Sequence, residues 1–266
     1  MLEQHIQEDV LRQKITLLFE YRLFPALISK GNESKQQSDI FLQKLIDLQT
    51  AIYHLDAHLE VNWETNPKLI KWHWDNIKKY LSVFDIDRDS SDTYLNHIKK
   101  YEKHEQELRV GKVPLRLDME YFYFYKSCDV KLLRRLIYEH YRLSPECGKL
   151  ADWRYYDLVT EVNDDVEDLF EDLDFINGNR FLISLLYYGK KVTEKVFIDF
   201  LDLVSEKAKF KFETGTGSFR KEMYDQTMTR VVETKKLVQT QLDKLESSTL
   251  QTSKLVQFLD VKALII

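Results

Sequence analysis

The sequence predicts an all-α protein, and three observations carry that prediction. Only seven Gly and four Pro interrupt 266 residues, which leaves few turns and favours long helices. Apolar residues recur three and four apart through most of the chain, the spacing of one helix face. Strand patterns are nearly lacking, since the short run Phe210-Lys-Phe-Glu-Thr is too brief to found a sheet. Apolar residues make up 44%, enough for a sizeable core. No internal repeat or low-complexity segment divides the chain, so one domain over 1–266 is expected.

Residues 3–30 predict one or two helices through Ile6, Val10, Leu11, Ile15, Leu18 and Phe19, with Pro25 breaking or restarting them. Gly31 to Ser38 is a polar loop, and Ser38 or Asp39 suits the cap of the next helix. That helix carries Phe41, Leu45, Leu48, Ile52 and Leu55 and runs to Glu60. Asn66-Pro67 closes the segment, and Leu69 to Phe84 predicts an aromatic helix. Asp85 to Asp92 is a charged connection, followed by a polar helix from Thr93 to Leu108. After Gly111 and Pro114, one long helix is expected from Met119 to Arg142. Pro145 and Gly148 mark a break before another from Leu150 to Leu173. Asn177-Gly178-Asn179 suits a left-handed cap ending it. Arg180–Tyr188, Thr193–Phe210, Phe219–Leu245 and Thr252–Val261 predict the remaining helices. The fifteen Tyr, fifteen Phe and four Trp are read mainly as packed core.

Several function classes are disfavoured. A net charge of −5 gives no electrostatic reason to bind nucleic acid or an anionic membrane. Cys128 and Cys147 form neither a disulfide framework nor a metal-ligand spacing. Leu-Glu-Gln-His-Ile-Gln-Glu-Asp after Met1 is no apolar leader, and no run of 18 apolar residues offers a membrane anchor. A cytoplasmic location is the expectation.

The most informative stretch is Glu161 to Arg180. Asp164, Asp168 and Asp172 lie four apart, as do Asn163, Glu167 and Glu171, so each set stacks on one helix face. Val162, Val166, Leu169, Phe170 and Leu173 supply a packed side. Stacked like charges weaken a helix slightly, and a hard cation offsets that. A solvated acidic face is the plainer alternative. A second carboxylate pair, Asp56 and Glu60, has the same spacing.

In this order the chain resembles the trans-isoprenyl diphosphate synthases, the polyprenyl synthetase family. Asp164-Asp165-Val-Glu-Asp168 matches that family's second aspartate motif, Asp-Asp-x-x-Asp. Asn177-Gly-Asn-Arg180-Phe-Leu-Ile-Ser looks like the loop and helix entry that follow it. Tyr125-Lys126-Ser127 is similar to the family's Lys-Thr dipeptide, Gly111-Lys112 to its Gly-Gln turn, and Glu233 to Leu242 to its closing helices. His54-Leu-Asp56-Ala-His58-Leu-Glu60 sits where the first aspartate motif belongs.

The resemblance implies a single class I isoprenoid bundle of about ten or more helices around a central cavity. It implies Mg²⁺ held by Asp56, Glu60, Asp164, Asp168 and Glu171, with Asp165 and Lys126 also catalytic. Lys126, Ser127, Arg180 and Arg22 would contact the diphosphate of a prenyl substrate. The assembly would be a homodimer, or a hetero-oligomer.

The chain also departs from the pattern. The first motif's adjacent aspartates become Leu55-Asp56, leaving an Asp-x-x-x-Glu pair similar to the Asp-x-x-x-Asp of squalene and phytoene synthases. Of the basic run expected near residues 19–25, Arg22 and Pro25 persist. Asn163-Asp-x-x-Glu167-x-x-x-Glu171 resembles a terpene cyclase motif. Three activities follow from these features: condensation of an allylic prenyl diphosphate with an isoprenoid acceptor, cyclisation of one prenyl diphosphate, or a non-catalytic role in a heteromeric synthase.

Overall fold

A computed structural model describes residues 8–215, 217–257 and 259. Among them are eleven α-helices and no strand, the all-α class that the spacing predicts. The sequence reads as one domain over 1–266; the structure gathers the described residues into two compact units. The first holds the described residues up to His58 with Glu64–Asn96 and Asp129–Cys147. The second holds Leu59–Trp63, His97–Cys128 and the described residues from Gly148 onward.

In the first unit, α1 (Glu8–Tyr21) buries Leu11, Ile15 and Phe19, one residue per turn. Left-handed Leu23 turns the chain into α2 (Phe24–Ile28). The cap of α3 (Lys35–Val61) is Ser34, not Ser38 or Asp39: the Gln37 amide donates to Ser34 Oγ at 3.4 Å, and Gln37 accepts from the Ser34 amide at 3.1 Å. α3 buries Phe41, Leu45, Leu48, Ile52 and Leu55. α4 (Pro67–Leu81) starts as Asn66-Pro67 dictates, with the Lys68 amide donating to Asn66 Oδ1 at 2.9 Å. α5 (Arg88–Glu107) starts earlier than expected because Asp87 accepts from the Ser90 amide at 2.8 Å.

The second unit is built around α8. The expected helix Met119–Arg142 is two, α6 (Met119–Lys126) and α7 (Cys128–Tyr141). They part at Ser127, whose hydroxyl bonds back to the Tyr123 carbonyl at 3.1 Å. α7 belongs to the first unit apart from Cys128. The expected helix Leu150–Leu173 opens as a 3₁₀ turn, Leu150–Trp153, and is α-helical as α8 (Arg154–Glu167). α9 (Arg180–Glu213) joins two expected helices across a kink at Gly189, whose φ of 71° suits glycine. α10 (Ser218–Lys244) and the short α11 (Ser247–Leu250) follow. Of Thr252–Val261, the 3₁₀ turn Lys254–Gln257 forms, while residues 258, 260 and 261 lie outside the described residues, as do 3–7.

α8 packs against α6, α9 and α10. Leu158, Val159, Val162 and Val166 meet Phe181, Leu182, Phe197 and Leu201 of α9 and Val231, Val238 and Leu242 of α10. A helix enclosed on so many sides cannot send its acids to solvent freely. None of the described helices is long and apolar enough to cross a membrane.

Candidate functional site

From Tyr156 to Val166, every α8 residue except Asp164 is buried. The acidic ladder is therefore divided. Asn163 turns inward and donates to Thr234 Oγ1 on α10 at 2.9 Å. Asp165 also turns inward, and its side chain is fully enclosed.

Asp165 collects three donors. Lys126 Nζ pairs with Oδ1, the Tyr123 hydroxyl donates to Oδ2 at 2.8 Å, and the Arg180 amide donates to Oδ2 at 2.9 Å. Tyr123 and Lys126 are i,i+3 on α6 and share a face. The Arg180 amide opens α9, so the helix N-terminus adds favourable potential. Desolvation pulls the Lys126 ammonium toward losing its proton, but Asp165, Glu161 and Asp164 outweigh it and raise its pKa well above the ordinary value. Desolvation, reinforced by Asp165, likewise raises the Tyr123 phenol.

The outer carboxylates have a different setting. α8 ends at Glu167, yet the amides of Asp168 and Asp172 donate to the carbonyls of Asp164 and Asp168 at 2.9 and 2.8 Å. The helical path thus continues for another turn, keeping Asp164, Asp168 and Asp172 stacked. Gln241 of α10 receives the freed carbonyls of Val166 and Glu167, donating to each at 3.1 Å. The Asp168 pKa is raised to about 7 by desolvation and by the charges of Asp172, Asp164 and Glu171, against the opposing pull of Lys126. Asp168 lies at an exposed rim, where its carboxylate neighbours crowd it. Asp172 is raised to about 6, by desolvation against hydrogen bonds from Asn179 and Asn177.

Those two asparagines organise the following loop. Asn177 Nδ2 and Asn179 Nδ2 each donate to Asp172 at 2.6 Å. Asn177-Gly178-Asn179 does not form the expected left-handed helix end. Asn179 instead caps α9, accepting from the Leu182 amide at 2.8 Å. The Gly178 amide donates to both oxygens of buried Glu105, at 3.1 and 2.9 Å. A Cβ on residue 178 would lie 2.4 Å from that carboxylate, so the end of the Glu105 side chain would have to shift to admit one.

The structure thus brings Asp164, Asp165, Asp168, Lys126 and Arg180 together within the second unit, with Glu171 at its exposed edge. Glu60 joins through its backbone, its carbonyl accepting from the Ile176 amide at 2.9 Å. Arg109 binds the end of the same helix, donating to the carbonyls of Leu59, Asn62 and Trp63. Asp56 belongs to the first unit. So does Arg22, which is 1% exposed in its core. The Ser127 hydroxyl is enclosed and committed to its own helix. The Arg180 guanidinium lies over Phe122 and donates to the Pro114 carbonyl at 2.9 Å. Sequence reasoning missed Tyr123, Glu105 and Gln241, and nothing in their local patterns marks them. It also missed the cap at Asn179, although an Asn just before an apolar run is a cap signal.

Among the described residues, no three His, Cys, Asp or Glu side chains stand ready to hold one metal ion. Mg²⁺ needs fewer protein ligands, since it keeps waters and takes substrate phosphate oxygens. Asp164 and Asp168 fit that requirement as hard, crowded oxygen donors. Asp165 does not, because both of its oxygens are occupied. Comparison with family models, curated proteins and solved structures finds no match for this chain.

Proposed function

We propose that this chain is a Mg²⁺-dependent enzyme of prenyl diphosphates, ionising an allylic diphosphate and joining it to an isoprenoid acceptor. One observation carries the reading: the rim carboxylate Asp168 is raised to about 7 by burial and by the neighbouring carboxylates Asp172, Asp164 and Glu171, against the pull of Lys126. Carboxylates that repel one another lose that repulsion when a divalent cation binds. When bound, Mg²⁺ would neutralise the departing diphosphate. Asp164 and Asp168 would hold the metal, with Glu60 and Glu171 of the same unit as the further ligands that the family resemblance suggests. Asp165 has a positioning role: it holds Lys126 protonated and in place. Lys126 carries three donors, of which one goes to Asp165, and its side chain is 21% exposed. The same reading takes the protein as a cytoplasmic homodimer acting on a small substrate, with no nucleic acid involved.

Cyclisation of a single prenyl diphosphate is the second reading. Enclosure of Arg22 favours it, because a cyclase needs no cation for a second diphosphate. Burial of Asn163 against Thr234 weighs against it, because that residue leads the cyclase-like motif. The test incubates the purified chain with Mg²⁺ and dimethylallyl, geranyl or farnesyl diphosphate, with and without isopentenyl diphosphate. A lengthened product supports the transferase, and a hydrocarbon from one substrate alone supports the cyclase. Silence with every substrate, including after a partner subunit is added, overturns the proposal.

A further inference from the structure

The first unit carries a histidine cluster that the proposed chemistry does not use. His54 and His58 lie four apart on α3, so they share a face. Asp56 and Glu60 fall about 200° around the helix from them, on the opposite side. His73 comes from α4, and its ring centre lies 5.4 Å from that of His58. Two imidazoles bound to one tetrahedral ion, with metal–nitrogen bonds of about 2 Å, place their ring centres about 5 Å apart. The His58–His73 pair already has that separation. Trp72 packs edge-on against His73 at 4.9 Å and covers one side of it. All three histidines are half-buried.

We propose that His58 and His73, joined by His54, form a transition-metal site of the first unit that takes Zn²⁺ or a related borderline ion such as Ni²⁺ or Cu²⁺. As they stand, the three side chains do not ligate a common point. Two imidazoles supply the chelate, and His54 lies one turn away on the same face of α3. Imidazole nitrogen suits these ions, whereas Mg²⁺ prefers oxygen. Metal binding also needs neutral imidazole. His73 meets that need, because burial, then the neighbouring His58 and His54, lower its pKa to about 4. An ion here would clamp α3 to α4, and the clamp is independent of the carboxylates on α8.

The test is a Zn²⁺ titration of the chelator-dialysed full chain by calorimetry, in excess Mg²⁺. One saturable site is expected. His58→Ala and His73→Ala should each weaken it by at least about tenfold, while His97→Ala and Asp168→Asn leave it unchanged. X-ray absorption of the Zn²⁺-loaded wild type supplies a readout that needs no variant, and imidazole scattering from two or three rings is expected there. No saturable binding, an all-oxygen shell, or undiminished affinity in folded His73→Ala would overturn the site. Loss of binding in Asp168→Asn with retention in His73→Ala would assign the ion to the carboxylates and also overturn it.

Discussion

Asp165 and Asp168 stand three residues apart in one acidic run and have opposite surroundings. Asp165 is enclosed by a lysine, a tyrosine and a helix N-terminus. Asp168 sits at a rim among Asp164, Glu171 and Asp172. The first is a negative charge whose counter-charge is built into the fold. The second is a carboxylate among carboxylates, with Lys126 pulling against their combined charge. An acidic run on a helix is therefore two devices, and the helix faces decide which residue belongs to which. The family motif treats the adjacent pair Asp164-Asp165 as one unit, whereas the fold gives them separate tasks.

The largest expected effect comes from breaking the enclosed side. Asp165→Ala leaves Lys126 without its buried partner and strands the Tyr123 hydroxyl. We expect a loss of about 3–5 kcal/mol in urea unfolding. A loss below about 1 kcal/mol would mean that Asp165 is not the anchor of this unit. Tyr123→Phe removes one donor to the charged carboxylate and keeps the ring packed. Its expected cost is about 1.5–3 kcal/mol, read in the same way.

Much of this arrangement lies beyond what local sequence reveals. The amphipathic helices were legible because Leu11, Ile15 and Phe19, or Trp74, Ile77 and Leu81, repeat at helical spacing and are buried as the spacing demands. The break at Ser127 was not legible, because the apolar pattern runs through it and no Pro or Gly marks it. The end of α8 at Glu167 was hidden for the opposite reason: the i,i+4 acids continue along a turn that mimics the helix. Within the site, the acidic ladder was visible, but its division was not. Lys126 and Asp165 are 39 residues apart, and no periodicity pairs them. The resemblance names each of them separately as a site residue; the structure adds that they pair with each other.

A smaller effect tests the join between the two sides. Asn179 caps α9 while its Nδ2 reaches both the Asp165 carbonyl and the Asp172 carboxylate. Asn179→Ala should cost about 1–2 kcal/mol as a lost cap. It should also move the Asp172 pKa further upward, since the Asn179 hydrogen bond holds it down. Carboxyl titration by NMR reads that shift, and an unmoved Asp172 would show that the two sides are independent.

The smallest effect has the opposite sign. Folded Asp168 and Asp172 titrate near 7 and 6, above the 3.8 of an ordinary aspartate. Between about pH 4 and 7 the folded chain therefore binds more protons than the unfolded chain, and stability falls as pH rises through that window. Asp168→Asn removes a repelling charge, so it should stabilise the protein at pH 8 and leave it unchanged at pH 4. Because Asp168 is exposed, solvent screening limits the gain to at most about 1 kcal/mol. Mg²⁺ should stabilise the wild type in the same direction, more at pH 8 than at pH 5, and Asp168→Asn should lose most of that response. Thermal unfolding at both pH values, with and without Mg²⁺, separates the two accounts of the rim. A Mg²⁺ response equal in wild type and variant would leave Asp168 as a solvated acid, and a response abolished by the variant would make it a ligand.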